Sequence, residues 1–407
     1  MKWLVFAFRN LFRNKRRTLV TVVVAATGTA SIVCSIGFAL FTYAALKDFA
    51  ANDTGHLIVA HQKYFTQEEE TPLGLAMEMK NLFKLQKHFE NNPKVRSVLP
   101  KITFSGLISN GEKTVIFSGN GIEAKEQIIK RGVLKLHEGG WLSRLPKIEN
   151  LPEVLLAVDL ASRLNTKVGE VLTLLSTTSD GVLNAIDVQV KGIVSLGVPE
   201  LDKRMLWAHL FTSQELLMNQ KVSSAAIYLY NTEDTDIIKK EVEDNFSQNA
   251  VHTWLDEAFF YKKVRSLYDR IFNTLGIILI IITFLAVFNT LSMTVVERTR
   301  EIGTLAAIGT HKNEILRIFI LEATLIGLFS SMIGVIVSWI TSIVVLFLEI
   351  PMPPPPGRSD SYPFIIDFSL EISIYTIIAI TTASIIAAWL AARRGVKKTI
   401  VEALTDV

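Results

Sequence analysis

Residues 18–46, 271–296, 315–348 and 370–392 form four apolar stretches, each longer than a globular core requires. A helix rises about 1.5 Å per residue, so about 20 mostly apolar residues cross the roughly 30 Å of hydrocarbon in a bilayer. None of the four carries a charge deep in its middle; the nearest exception is Glu322, about two turns inside the third. Within lipid a backbone must satisfy its own hydrogen bonds, and a single apolar run does so as a helix. The sequence therefore predicts four membrane-spanning helices. The first run follows basic residues, as a signal peptide does, but a signal's apolar region is about 7–15 residues long and this run is nearly twice that. It reads as an uncleaved span.

Orientation follows from the short flanks. Arg9, Arg13, Lys15, Arg16 and Arg17 precede the first span, Arg298, Arg300, Lys312 and Arg317 lie around the connection between the second and third, and Arg393, Arg394, Lys397 and Lys398 follow the fourth. The 349–369 loop holds only Arg358. Basic residues in short loops stay cytoplasmic, so both termini and segment 297–314 are expected inside, with 47–265 and 349–369 outside. Trp3, Leu4, Phe6, Phe8, Leu11 and Phe12 mix with the basic residues of 1–17, which suits a helix lying in the inner interface.

Small residues let membrane helices approach closely. Thr27, Ser31 and Ser35 in the first span, and Ala379, Ala383, Ala387 and Ala391 in the fourth, are such stripes at four-residue spacing. Asn289 and Glu322 are the polar exceptions within the spans and read as hydrogen bonds between helices rather than a transport site. No span carries the series of acids, bases and histidines that marks an ion pathway.

Between the first two spans, 47–265 has ordinary mixed composition. Strands at 56–61 and 95–104 flank a helix at 73–91, and a second strand–helix–strand unit follows at 225–230, 235–246 and 250–253. Two such units in one sheet predict a ferredoxin-like α+β layer. Alternating patterns at 113–117, 154–157, 171–175 and 186–194 predict a β-rich subdomain inserted over 106–222. From Phe260, the residues Val264, Leu267, Tyr268, Ile271 and Leu275 recur at helical spacing without Gly or Pro, so the second span should continue outward over 266–296 as a stalk.

Several chemistries are argued against. The net charge is only +3, with basic residues gathered beside the apolar runs, so nucleic acid is not an expected partner and membrane lipid is. Cys34 is the one cysteine and lies inside the first span, so no internal disulfide or cysteine metal site can form. The 106–114 segment resembles a phosphate-binding loop, but Glu112 stands between Gly111 and Lys113. No nucleophile, metal set or acid–base pair stands out, so the chain is expected to be no enzyme and to bind no cofactor itself.

The segment after the second span is the most informative. Glu297, Arg298, Thr299, Arg300, Glu301, Ile302, Gly303, Leu305 and Gly309 read as a short amphipathic helix across the inner surface, charged face to the cytoplasm, with Gly303 allowing close approach and Gly309 suited to the helix end. Here the sequence resembles the FtsX/MacB-like permease family, which includes the LolC and LolE subunits of lipoprotein-releasing transporters. The resemblance rests on VVERTREIGTLAAIG, LEATLIG around Glu322, AARRGVKKTIVEAL near the C-terminus, FRNLFRNKRRTLVT near the N-terminus and GHLIVAHQKYF after the first span.

That resemblance implies a permease in a bacterial inner membrane, paired with a second copy or related subunit and with two copies of a cytoplasmic ABC ATPase that holds the ATP and Mg. It implies that 297–309 is the coupling helix seated on the ATPase, and that outer domains move through their stalks while cargo need not cross through the protein. A lipoprotein or a periplasmic carrier is a further expected partner. Extraction of lipoproteins or other amphiphiles leads; efflux of a peptide or macrolide-like compound, and transmembrane regulation of a cell-wall hydrolase, stay open. The prolines Pro351, Pro353, Pro354, Pro355 and Pro356 predict a stiff extended connection outside.

Overall fold

The computed structural model describes residues 15–66, 76–144, 151–353 and 361–396. It divides into two compact units: residues 45–264 with 353–362, and a helical unit formed by the rest.

In the helical unit, four helices are long and apolar enough to cross a membrane. They belong to α1 (Lys15–Thr54), α9 (Phe259–Glu297), α11 (Lys312–Leu348) and α12 (Leu370–Val396), with the short α10 (Thr299–Ala307) between the second and third. Close approach is set by single glycines. A Cβ on Gly28 of α1 would come within 2.2 Å of Thr283 Oγ1 on α9; one on Gly334 of α11 would meet Ala26 O at 2.5 Å and Thr29 Cβ at 2.6 Å; one on Gly327 would meet Ser384 of α12 at 3.0 Å. The expected Thr27–Ser31–Ser35 stripe is not the buried face: Thr27 is exposed, and Ala25, Ala26, Thr29, Ala30 and Val33 are turned inward instead. The Oγ1 atoms of Thr27 and Thr29 both bond carbonyls four residues back in their own helix. A hydroxyl thus satisfied offers little to a neighbour, so steric fit decides which face packs. In α12, Ala387 and Ala391 are buried, Ala383 is half-buried and Ala379 is exposed.

The other unit is α+β. The strands β1 (Leu57–His61), β2 (Val95–Ser109), β9 (Ser224–Leu229) and β10 (Asn249–Thr253) stand in the order β10-β1-β9-β2, all antiparallel. With α2 (Met79–Phe89) joining β1 to β2 and α7 (Thr235–Asn245) joining β9 to β10, this is the expected ferredoxin-like layer. Leu82, Leu85 and Phe89 recur on one face of α2 and are fully buried; each such side chain contributes about 1.5–3 kcal/mol. Ile238 and Val242 do the same for α7.

The β-rich insertion grows out of β2, whose first half pairs with β9 while Ile102–Ser109 pairs with β3 (Thr114–Ile122). From there the order runs β3, β8 (Met205–His209), β5 (Glu153–Ala157), β7 (Leu183–Ser195) and β4 (Lys135–Gly139), with β6 (Val171–Thr177) pairing both β7 and β2. The helices α3 (Ala124–Lys130), α4 (Val158–Leu164), α5 (Pro199–Asp202) and α6 (Leu210–Leu217) connect these strands. All four expected inner strands are present. The phosphate-loop lookalike is the β2–β3 hairpin turn: Asn110 Oδ1 accepts from the amides of Glu112 and Lys113 at 3.0 and 2.7 Å, and Gly111 takes φ +90°. Its amides are therefore spent internally.

The helix expected at 1–17 falls in 1–14 outside the described residues, as do Pro354, Pro355, Pro356 and the tail beyond Val396.

Candidate functional site

The predicted segment 297–309 is built in three pieces. Glu297 ends α9, Arg298 stands alone as a turn, and Thr299 opens α10. The turn is a mild one: the Arg298 amide still donates to Thr294 C=O at 3.2 Å, and its carbonyl accepts from the Ile302 amide at 2.9 Å. The far end is a glycine stop. Gly309 takes φ +97° and the Thr310 amide donates back to Leu305 C=O at 3.0 Å, a Schellman closure open to glycine at little cost. Two residues on, the His311 amide donates to the Glu314 carboxylate at 3.4 Å as α11 begins. Two helix ends therefore meet within a few residues, and α10 cannot slide along either neighbour.

The centre of the site is an ion pair. Arg298 Nη1 donates to both carboxylate oxygens of Glu322, at 2.9 and 3.0 Å. Arg298 is 7% exposed and Glu322 6%. Amphipathic spacing puts Arg298 on a charged face pointing away from the membrane; the structure turns it inward. The reason is Glu322, a carboxylate nearly three turns inside α11 that needs a cation at its own depth, which the one-residue turn supplies. The expected interhelical bond of Glu322 is thus an ion pair, whereas Asn289 lies on an exposed face of α9 and takes no part.

Around the pair, Ile302 packs with Val287, Leu291 and Val295 of α9, Ile315, Phe319 and Ala323 of α11, and Ala387 and Ala391 of α12. Thr299, Ile302 and Gly303 are buried and Leu305 is half-buried, so the inner face of α10 is a wedge in the helical unit. Arg300, Thr304 and Ile308 point the other way, and Ile308 is 78% exposed, whereas the exposed Glu301 reaches back to Arg298 Nε at 3.9 Å. Residues 300, 304 and 308 fall one helical turn apart and form one outward stripe.

The predicted stalk residues separate. Val264 is buried in the α+β unit, and Tyr268 stacks on Phe272 at 5.8 Å, but Leu267 and Ile271 face outward. Helical spacing by itself says that a helix forms here but not which side packs, since Arg265, Asp269, Arg270 and Asn273 alternate with the apolar positions. The face turned toward α1 is marked by other residues: Tyr43 Oη donates to Asp269 Oδ1 at 2.5 Å, Arg265 lies over the Tyr43 ring at 5.4 Å, and Phe272 meets Phe38 and Tyr43 edge-on. Aromatic residues beside an acid and a base at the rim of a span were the available signal. No group of three or more potential metal ligands occurs among the described residues.

The described residues thus combine four helices long and apolar enough to cross a membrane, a ferredoxin-like α+β layer with a β-rich insertion, and a short connecting helix wedged between the second and third long helices. Residues 273–400 match the FtsX-like permease C-terminal family, a range that includes α10 and the Arg298–Glu322 pair but not the stalk residues 264–271, and the chain is similar in sequence to MacB and LolC/LolE ABC transporter permeases. The macrolide export ATP-binding/permease protein MacB of Salmonella typhi is 24% identical over 99% of this chain and 60% of its own length. The lipoprotein-releasing system transmembrane protein LolE of Haemophilus influenzae is 24% identical over 64% of this chain and 63% of its own. The ABC transporter permease YtrF of Bacillus subtilis is 43% identical over 19% of this chain and 17% of its own. The chain thus spans less than two thirds of the length of these relatives. Among solved structures, the periplasmic region of MacB from Actinobacillus actinomycetemcomitans aligns with a TM-score of 0.35 at 13% identity, covering 49% of this chain and 88% of that one.

Proposed function

We propose that this chain is the membrane-spanning subunit of an ABC-type transporter that works by mechanotransmission, with ATP hydrolysed on a partner ATPase. The observation that carries this reading is the division of α10 into two faces. Its inner face is fixed to three spans through Ile302 and the Arg298–Glu322 pair, while Arg300, Thr304 and Ile308 point away. A load applied to the outward stripe is passed to α9 and α11 because the ion pair leaves the wedge no slack. The basic flanks support a cytoplasmic position for α10 and both termini in a bacterial inner membrane.

The partner is a cytoplasmic ABC ATPase, and Arg300, Glu301 and Ile308 seat in its surface. A second copy or a related subunit completes the unit; the exposed apolar residues Leu267, Ile271, Leu275, Ile278 and Ile282 recur at four- and three-residue steps along α9 and suit a facing helix. The cargo is an amphiphile handled at the outer face, a lipoprotein first, in keeping with the LolC and LolE relatives; the MacB relatives favour efflux of a macrolide-like compound as the second reading.

The test uses Arg300→Glu combined with Ile308→Asp in the full chain, co-expressed with the candidate ATPase. Loss of ATPase co-purification, with an unchanged thermal midpoint of the permease in detergent, is the expected result. Undiminished complex formation would remove the docking role from this helix. Accumulation of lipoproteins in the inner membrane on depletion decides for the first cargo class, and normal sorting decides against it.

A further inference from the structure

Both long helices that leave the helical unit end inside the α+β unit, and they are fastened there differently. The start of α9 is held through its preceding turn. The Trp254 amide donates to His56 C=O at 3.0 Å, Thr253 caps the short α8 (Trp254–Glu257) by exchanging hydrogen bonds with Asp256, and Trp254 meets Tyr261 edge-on at 5.1 Å. The sheet secures this end, since Thr253 pairs with Leu57.

The end of α1 has no such turn. Its last carbonyls lack partners within the helix, and the aligned peptide dipoles leave this end negative. Gly55, at φ +96°, stops the helix, and its amide answers only Ala51 C=O. The carbonyl of Asp53 is answered by Lys130, from the last turn of α3. Lys130 Nζ lies 2.6 Å from Asp53 O and 3.3 Å from Asp53 Oδ1, and 3.7 Å from Glu126 Oε1. Lys130 is 1% exposed and Glu126 fully buried. Tyr228 of β9, also buried, donates to Glu126 Oε1 at 3.0 Å, and Lys101 of β2 lies within electrostatic reach of Lys130, Asp53, Glu126 and Glu257. Burial alone would depress the Lys130 ammonium, but the Asp53 and Glu126 carboxylates outweigh it and hold it above the usual lysine range. Burial and the Glu126 carboxylate push the Tyr228 phenol well up, so it stays a donor.

A fully buried lysine is expensive to place, and hydrophobic packing would hold an ordinary helix end as well. What the ammonium adds is direction, because it binds a backbone carbonyl at a helix end and a carboxylate on its own helix together. We infer that Lys130 is the clasp that fastens the outer end of the first long helix to the inserted β-rich part of the domain, so that this helix and α3 move as one piece. Lys130 is a positioning residue in this role. Its consequence for transport rests on the mechanotransmission reading, but the fastening does not.

Amide hydrogen exchange on the full chain in detergent tests it, with Lys130→Met and with Lys130→Met combined with Glu126→Gln, the second variant leaving no stranded buried carboxylate. The expected result is at least a tenfold faster exchange across 49–56, with 254–261 and strands β5–β8 unchanged. Unaltered exchange at 49–56 in a folded variant overturns the clasp, and so does a rise spread evenly over the domain. The experiment needs no ATPase. In the assembled transporter, a spin-label distance across the α+β domains that changes with nucleotide in the wild type and is lost in the double variant supports the clasp. A wild-type distance that never responds to nucleotide counts against the transport reading and leaves the exchange result standing.

Discussion

Replacing Arg298 by Met should destabilise the helical unit by about 3–5 kcal/mol, because it strands the Glu322 carboxylate where water does not reach. Nη1 stands 2.9 and 3.0 Å from the two oxygens, and both residues are under one tenth exposed. Charges about 4 Å apart at an effective dielectric of about 20 attract by about 4 kcal/mol, the same size as the penalty for exposing either to the other's absence. Glu322→Leu should therefore cost as much as Arg298→Met. The double replacement removes both charges and leaves side chains that pack, so it should fall within about 1 kcal/mol of the wild type. A double-mutant cycle on full-length protein, unfolded by denaturing detergent in mixed micelles, reads this directly. Recovery of at least about 3 kcal/mol relative to the summed singles is expected, about two decades in the folded-to-unfolded ratio. If the two singles simply add, the pair is incidental and the wedge is held by Ile302 and its neighbours alone. The stable double variant then asks a second question: with α10 still packed but unpinned, coupling to the ATPase should weaken without loss of ATPase binding.

Gly28→Leu and Gly334→Leu should each lower the thermal midpoint of the detergent-solubilised chain, by the equivalent of about 1–3 kcal/mol, since the new side chains meet Thr283 or Ala26 and Thr29; Gly276→Ala, where a Cβ meets nothing within 4 Å, should be harmless. Gly309→Ala should cost about 1–2 kcal/mol for its φ of +97°, although the space around it is open, and a midpoint equal to wild type would deny the Schellman closure. His56, whose pKa burial and then Lys47 and Arg96 lower to about 4, accepts the Leu229 amide on Nδ1 as a neutral ring. Between about pH 6.5 and 4 the unfolded chain binds a proton that the folded one refuses, so stability is full above that window and falls as pH drops through it, by up to about 3 kcal/mol. Denaturation of the full chain followed by Trp fluorescence from pH 7 to 4 should show the loss, and His56→Gln should flatten it.

Much of this protein was decided by one-dimensional properties. Span length fixes the count of long helices, because no other structure of 20-odd apolar residues satisfies its own backbone in lipid. The two strand–helix–strand units were legible because alternation in the strands and the Leu82, Leu85, Phe89 period in the helix are local. Gly309 was legible as a helix end for the same reason. What periodicity left open was which way residues face in the long helices. Thr27 has the spacing of an interface stripe and Ile271 lies in the apolar period of the stalk, yet with Gly28 packed on Thr283 and Tyr43 on Asp269 both are exposed. Arg298 illustrates the limit most clearly. Its neighbours in sequence place it among surface charges, and only the fold brings Glu322, 24 residues away, to the depth where a buried carboxylate captures it. Lys130 and Asp53 are 77 residues apart, and no local pattern links them. Local pattern decides which elements form, whereas the burial of a charge is a property of the assembled protein, because its cost is set by what else is excluded from water.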